Sequence, residues 1–268
     1  MKKRNWYLSV GLIITAVMLI YIVVGMFWTP YEPGRLSSAD RHAPPSAAHF
    51  FGCDNLGRDI FSRTLDGAGT TLTIALAVLV IGFVCGVIIG ALCGYFGGVV
   101  DAAVMRVCDA IASFPSILLA MVIIAVIGAG KYKIIVALGI LFIPSFSRLV
   151  RGEYIKYRNS DFVRAARLSG ASHLRIIFVH ILPNTWPVLL SGLTIGFNNA
   201  VLAEASMSYL GIGVGPADAS LGRMLSEAKS YLLTAPWCTV FPALVVVLLI
   251  LGVGMTGEGI RERMGEPV

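Results

Sequence analysis

Glu204 is the one acidic residue that lies well inside a long apolar stretch of this sequence, and Asn198 and Asn199 precede it in the same stretch. A charge placed there costs several kcal/mol unless it faces water or a partner. Two interpretations stay open: these side chains line a polar translocation path, or Glu204 makes a hydrogen bond between helices worth about 1 kcal/mol. Met207 is included in the candidate path, although packing is the better explanation for it.

Motifs for nucleotide binding or catalysis are missing from the sequence. The nearest approach to a phosphate-binding loop, at 128–132, lacks the first glycine and has Tyr132 where the magnesium-binding Ser or Thr belongs. All four histidines lie outside the apolar stretches, and no protease or hydrolase motif is present. The five cysteines fit neither a zinc spacing nor a disulfide framework, which favours packing. We therefore predict no catalytic residue, no metal site and no cofactor in this chain.

The composition is that of a membrane protein, because 57% of the 268 residues are hydrophobic and only 13% are charged, against about 25% charged in soluble domains. A helix needs about 20 apolar residues to cross the bilayer. The first apolar stretch is too long for the core of a signal peptide and has no cleavage site after it. We predict an all-α protein with six transmembrane helices at 6–28, 70–100, 101–130, 134–147, 186–210 and 237–257.

Positive charges are concentrated on one side of these six spans. The basic side collects Lys2, Lys3, Arg4, Arg106, the basic cluster at 148–175, Arg261 and Arg263. The positive-inside rule then places both termini in the cytoplasm and the segment 29–66 outside. We divide the chain into 1–69, the first span with the external segment, and 70–268, a five-span core. Asp54, Gly57, Arg58 and Asp59 in the external segment form either an ordered loop with local ion pairs or a functional motif.

Residues 160–183 form a charged, helix-forming segment between two spans. Ser160 or Asp161 suits a helix N-cap, Gly170 suits the left-handed end of that helix, and Ser172 suits a second N-cap. Pro183 marks a helix boundary or kink. The pattern predicts a short cytoplasmic hairpin from which three arginines project, namely Arg164, Arg167 and Arg175.

Two partners are conceivable for this hairpin, the anionic lipid surface or another protein. A helix resting on headgroups has one wide apolar face, whereas small residues between arginines let another protein's backbone approach and form charge-assisted bonds. We favour protein docking. The candidate contact residues are Asp161, Phe162, Arg164, Ala165, Ala166, Gly170, Ala171, Ser172 and His173.

The hairpin resembles the cytoplasmic motif of permease subunits from ATP-binding-cassette (ABC) importers, in which Glu-Ala-Ala is followed by a Gly and a later Ile-x-Leu-Pro. The matching residues are Ala165, Ala166, Gly170, Leu182 and Pro183, whereas Arg164 and His180 depart from the motif. The external residues Gly52, Asp54, Gly57, Arg58 and Asp59 are similar to Gly-Thr-Asp-x-x-Gly-Arg-Asp, with Cys53 in place of Thr. Further matches lie at 94–98, 114–115, 149–152, 180–184, 210–213 and 235–237.

The whole chain thus resembles the C-type permease of the dipeptide, oligopeptide and nickel importers. The resemblance implies a type I ABC importer permease fold in a prokaryotic inner membrane, with 160–183 as the coupling helix. It implies a homologous second permease, two cytoplasmic ATPases that bind ATP and magnesium, and an external substrate-binding protein, but no nucleic acid. The implied substrate is a di- or oligopeptide, with nickel or a metal chelate as the alternative. A secondary transporter driven by an ion gradient is the competing class, and Glu204 is its one candidate residue.

Overall fold

The computed structural model describes residues 6–215 and 218–264, so Lys2, Lys3, Arg4 and Pro216 lie outside the described residues. Within them the chain is helical, with one isolated antiparallel bridge, between Cys53 and Asp59. The helices are α1 (Trp6–Phe27), α2 (Ile60–Phe96), α3 (Gly98–Ala112), α4 (Ser116–Ile127), α5 (Lys131–Tyr157), α6 (Asp161–Leu168), α7 (His173–Arg175), α8 (Leu182–Tyr209), α9 (Leu221–Ala228) and α10 (Trp237–Arg263), with a π-helical turn at Ile176–Ile181 and a 3₁₀ turn at Lys229–Tyr231.

Among the described residues, five helices are long and apolar enough to cross a membrane: α1, α2, α5, the continuous helix His173–Tyr209 and α10. The pair α3 and α4 passes the same test only when taken together, because the chain bends by 90° between them. The six spans are present if this bent pair is counted as one. The prediction of an all-α membrane protein is confirmed.

The third span is wrong as a single helix over 101–130, because α3 ends at Ala112 and α4 begins at Ser116. Pro115 has no N–H to donate and disfavours a helical conformation at Phe114. Asp101 of α3 accepts two hydrogen bonds from the Arg151 guanidinium of α5, at 2.6 and 2.7 Å. This ion pair holds α3 against the end of α5, and α4 runs at 90° to α3.

The second span begins ten residues earlier than 70, at Ile60, because Asp59 caps the helix. The Asp59 carboxylate accepts hydrogen bonds from both the backbone N–H and the hydroxyl of Ser62, each at 2.7 Å. Residues 69 and 70 therefore lie inside one helix, and the division of the chain between them stays a prediction.

Helices α2 and α5 pack closely along a row of glycines on α2. A methyl group on Gly82, Gly86 or Gly94 would lie only 2.4–2.6 Å from a side chain of α5. Small residues spaced four apart let two membrane helices approach until their backbones nearly touch. This contact makes α2 and α5 the central pair of the bundle.

The second arm of the hairpin is longer than the short helix we expected, since it continues without a break into the span that follows. The π-helical turn Ile176–Ile181 carries the helix past Pro183, and the N–H of Leu182 bonds to the carbonyl of Ile177, five residues back. A π turn of this kind accommodates the missing proline donor without breaking the helix. The hairpin is therefore rigidly connected to α8.

Candidate functional site

The first arm of the hairpin is helix α6, which begins at its N-cap residue Ser160 and ends just before Gly170. Gly170 has φ +78°, the left-handed conformation expected of a residue that ends a helix. Val163 is completely buried in an apolar cluster with Tyr95, Tyr154 and Ile177. The hairpin thus packs on the ends of α2 and α5 through its inner face.

Two tyrosines and an arginine fix the hairpin to these helix ends. The Tyr154 hydroxyl donates to the carbonyl of Ile177 at 3.0 Å, and the Tyr95 hydroxyl lies 2.9 Å from His173 Nδ1. The Arg167 guanidinium lies over the Tyr95 ring, 5.3 Å from its centroid. Arg167 is exposed, as expected of an arginine that projects from the hairpin, and it also contacts Tyr95 within the chain.

The outer face of the hairpin carries apolar side chains that the described part of the chain leaves exposed. Leu168 is 90% exposed and Leu174 is 62% exposed. Of the predicted contact residues, Asp161, Phe162, Arg164, Ala165 and Gly170 lie on the exposed side, while Ala166 and Ala171 pack on the buried cluster. Ser172 caps α7 by accepting a hydrogen bond from the N–H of Arg175.

A cavity of about 580 Å³ lies between α4, α5 and the helix His173–Tyr209. Its walls are mainly apolar, with scattered serines and one amide. Asn199 and Met207 line it, as do Phe142, Phe146 and Leu138. Two of the four candidate path residues therefore face this cavity.

Asn198 and Glu204 lie outside the lining of this cavity. The Asn198 amide faces α10, 3.0 Å from where a methyl group on Gly254 would stand. Glu204 has no exposed surface, accepts a hydrogen bond from the Ser208 hydroxyl at 2.7 Å, and has Thr71 and Ser220 beside its carboxyl group. This placement fits the interpretation that Glu204 joins α8 to its neighbours.

At the far end of α2, Asp54 and Arg58 of the predicted external motif join three other residues in a network of five charged side chains. Asp54 pairs with Arg63 and, at 2.7 Å, with Arg58. Glu227 of α9 pairs with Arg58 at 2.7 Å, Arg63 at 3.0 Å and Arg223 at 3.0 Å. The local Asp54–Arg58 pair that the sequence indicated is present, but it is part of a larger network that binds the segment before α2 to α9.

The electrostatics of this network favour its charged form. Burial acts to raise the pKa of Asp54, but Arg63, Arg58 and two backbone N–H donors outweigh it and hold that pKa below its usual range. For Glu227, burial is likewise outweighed by Arg63, Arg58 and Arg223, so its pKa is also lowered. Both carboxylates stay ionised at neutral pH.

Comparison with known protein families identifies the family of this chain. The family model described as binding-protein-dependent transport system inner membrane component matches residues 86–262. The chain belongs to this family. Its members are transport permeases of the inner membrane and not enzymes, which confirms the resemblance drawn from the motifs.

Curated relatives of this permease match it over nearly its full length. A dipeptide transport system permease protein of Alkalihalophilus pseudofirmus is 35% identical over 98% of this chain and 86% of its own. A putative peptide transport system permease protein of Brucella suis is 39% identical over 98% and 88%. A glutathione transport system permease protein of Escherichia coli is 36% identical over the same two shares.

The fold of the permease matches that of a solved ABC transporter. A chain of the methionine transporter MetNI, in an inward-facing conformation, aligns with a TM-score of 0.65 at 22% identity. The alignment covers 77% of this chain and 98% of that one. The prediction of an ABC importer permease fold is confirmed.

Several important residues of the permease were missed by sequence reasoning. Val163 and Tyr154 anchor the hairpin, yet each looked like one apolar residue among many. Arg63, Glu227 and Arg223 complete the charged network; the spacing of Arg223 and Glu227, four apart on a helix, is a local signal for a pair. Their meeting with Arg63 and Asp54 joins positions more than 160 residues apart, and no spacing rule covers that.

Proposed function

We propose that this chain is one of two permease subunits of an ATP-driven importer of di- or oligopeptides. A homologous second permease completes the path, two cytoplasmic ATPases bind ATP and magnesium, and an external binding protein delivers the substrate. The termini and the hairpin lie in the cytoplasm, and the segment before α2 lies outside. The chain divides into the first span with that external segment (1–69) and a five-span permease core (70–268).

The observation that carries this proposal is the way the hairpin is built into the chain. Its first arm follows α5 after a short turn, its second arm is continuous with α8, and both of these helices line the 580 Å³ cavity. A force applied to the hairpin is therefore transmitted to two walls of the cavity at once. Such a connection suits a rigid-body switch between inward- and outward-facing states.

The hairpin also has the surface that a partner protein needs. Its inner face is packed and hydrogen-bonded to α2 and α5, so its shape does not depend on the partner. Its outer face presents Leu168, Leu174 and Phe162 together with the small residues Ala165 and Gly170. Exposed apolar side chains that lie together on a rigid base mark a site of protein interaction. We assign this face to the ATPase subunit, in agreement with the docking prediction.

The translocation path runs through the 580 Å³ cavity and includes Asn199 and Met207. The second permease would close the cavity from its open side. Because Glu204 and Asn198 lie outside its lining, we assign them to helix packing. A buried Glu204 that bonds to neighbouring hydroxyls also offers no support for ion-driven secondary transport.

A peptide is the substrate class that the relatives support. The three permeases described above are named for dipeptide, peptide and glutathione transport, and glutathione is itself a small peptide. Their names support a peptide substrate over nickel.

Replacing Leu168 by aspartate tests the docking surface. Leu168 is 90% exposed, so the change removes an apolar anchor and leaves the packing of the permease intact. We expect the ATPase subunits to be lost from the purified complex and substrate-stimulated ATP hydrolysis to fall at least about tenfold, as for loss of a hot spot worth about 1.4 kcal/mol or more.

Leu233→Asp is the matched control, since Leu233 is 96% exposed and lies in the turn before α10, at the opposite end of the molecule. This variant should keep its ATPase subunits. Normal ATPase association and stimulation in the Leu168→Asp complex would contradict the docking assignment. Substrate uptake that persists without any ATPase subunit but requires the proton gradient would contradict the proposal of an ATP-driven importer.

A further inference from the structure

Three potential metal ligands meet in the segment before α2. His49 Nδ1, Cys53 Sγ and a carboxylate oxygen of Asp59 all lie within 4.8 Å of one another. The antiparallel bridge between Cys53 and Asp59 and the 2.9 Å contact between His49 and Asp59 hold them together. We propose that His49, Cys53 and Asp59 bind one divalent cation of the zinc class.

The donor set fits such a cation. A thiolate, an imidazole nitrogen and a carboxylate are the three ligand types that zinc takes in proteins, at about 2.0–2.3 Å, so ligand atoms around it stand roughly 3.3–3.6 Å apart. The distance from His49 Nδ1 to Asp59 Oδ1, 2.9 Å, is below that range, and the 4.8 Å limit on the distances within the group lies about 1 Å above it. Side-chain shifts of about 1 Å would bring all three into place.

The negative charges around the site also favour a cation. Burial, Asp59 and Asp40 raise the pKa of the Cys53 thiol, so the metal ion must displace its proton. Cys53 has no exposed surface, and the side chain of Asp59 is 3% exposed. The nearby arginines, Arg58 and Arg63, pair with Asp54 and Glu227. Among the described residues, Asp59 forms its ion pair with His49. The negative charge of Asp59 is thus left without a permanent cation, and a bound metal ion would supply one.

An entry route leads to these ligands from the surface. A small cavity of about 40 Å³ reaches His49 and Asp59, with Cys53 behind them. Its other charged lining residues are Glu32, Asp40 and Arg35, so two carboxylates face one guanidinium there. It has room for at least one water molecule. A cation would enter past the two outer carboxylates, and a water or one of those carboxylates would take the fourth position. Binding forms the sulfur–metal bond and releases the thiol proton to water.

The site depends on tertiary structure, which explains why cysteine spacing gave no sign of it. Each ligand is of a different residue type, and the loop 49–59 folds back to bring them together. Such a metal would join the loop to the first turn of α2. We therefore expect it to stabilise this end of the permease.

Cobalt(II) is a suitable probe, because a thiolate bound to it gives a charge-transfer absorption in the near ultraviolet. The full-length chain in lipid nanodiscs should show this band at one cobalt per chain, and zinc should remove it. Cys53→Thr should abolish the band, and His49→Gln should weaken cobalt binding at least about tenfold. Cys238→Ser is the matched control, since Cys238 is a buried cysteine beside Cys53 but outside the ligand set; it should keep the band.

Thermal unfolding provides a second readout. Saturating zinc should raise the Tm of the wild-type chain and of Cys238→Ser, because a ligand that binds only the folded state stabilises it, and should leave the Tm of Cys53→Thr unchanged. If Cys53→Thr does not fold, Cys53→Ser takes its place. Absence of the band from the wild-type chain, its persistence without Cys53, or its loss in Cys238→Ser would overturn the proposal.

Discussion

The two ends of α2 are built on opposite principles. Its 37 residues span about 55 Å at 1.5 Å per residue. At one end, the hairpin 160–183 is held by buried apolar contacts and leaves apolar side chains exposed. At the other, the charged network of Asp54, Arg58, Arg63, Arg223 and Glu227 pairs its groups with one another.

The difference shows which end of α2 has its interactions satisfied within this chain and which end needs a partner protein. Charges that leave water must be compensated inside the same structure, and the network does so with three arginines around two carboxylates. Exposed leucines on a rigid base gain their stabilisation only when another molecule covers them. The network therefore locks the segment before α2 to α9, while the hairpin is a surface for assembly.

The network should be the end more sensitive to a single substitution. Arg63 is 5% exposed and contacts both Asp54 and Glu227. Arg63→Ala removes one guanidinium partner from each carboxylate. Arg58 still pairs with both and Arg223 with Glu227, so we expect a cost of about 1–3 kcal/mol. We expect a fall in Tm in nanodiscs, whereas Arg41→Ala, an exposed arginine of the same segment, should not change it. Equal Tm values for the two variants would mean that the network is not structural.

Acid should weaken the network with a predictable sign. Since the pKa values of Asp54 and Glu227 are lowered in the folded chain, their stabilisation is complete above the unfolded values of about 4 and is lost as the pH falls through the folded values. The Tm should stay level from pH 7 to about 5 and fall below about pH 4. Asp54→Asn should flatten part of this fall. An identical pH profile in Asp54→Asn would show that the Asp54 carboxylate does not cause the fall in Tm at acid pH.

A substitution at the hairpin end of α2 should have the smallest effect on the free energy of unfolding, and the effect should be local. Tyr154→Phe removes one of the two hydrogen bonds that the Ile177 carbonyl accepts, while the bond from the Leu182 N–H remains, so we expect a cost of about 0.5–1.5 kcal/mol. Amide exchange should become faster in 161–177 and stay unchanged around 54–63. Tyr132→Phe, at a 79% exposed tyrosine, serves as the control. Faster exchange at both ends would show that the two regions are coupled more tightly than the packing indicates.

Much of this architecture was accessible from local sequence patterns. Apolar stretches predicted the spans, and Ser160, Gly170 and Ser172 predicted the turn of the hairpin, because capping depends on residues a few positions apart. The bend at Pro115 was missed, although the proline that causes it was visible. Likewise, the asparagines of α8 looked equivalent, yet Asn199 faces the cavity and Asn198 faces α10.

The sequence by itself determined that this chain is an α-helical membrane protein, where most of its helices lie, and which family it resembles. Hydropathy, helix caps and short motifs all act within a few residues of each other, so they can be read along the chain. Only the tertiary structure decided that Glu204 is buried away from the cavity, that Arg63 meets Glu227, and that His49, Cys53 and Asp59 converge. The first two arrangements depend on how helices distant in sequence pack together, and the third on how the loop 49–59 folds back on itself; residue spacing determines neither.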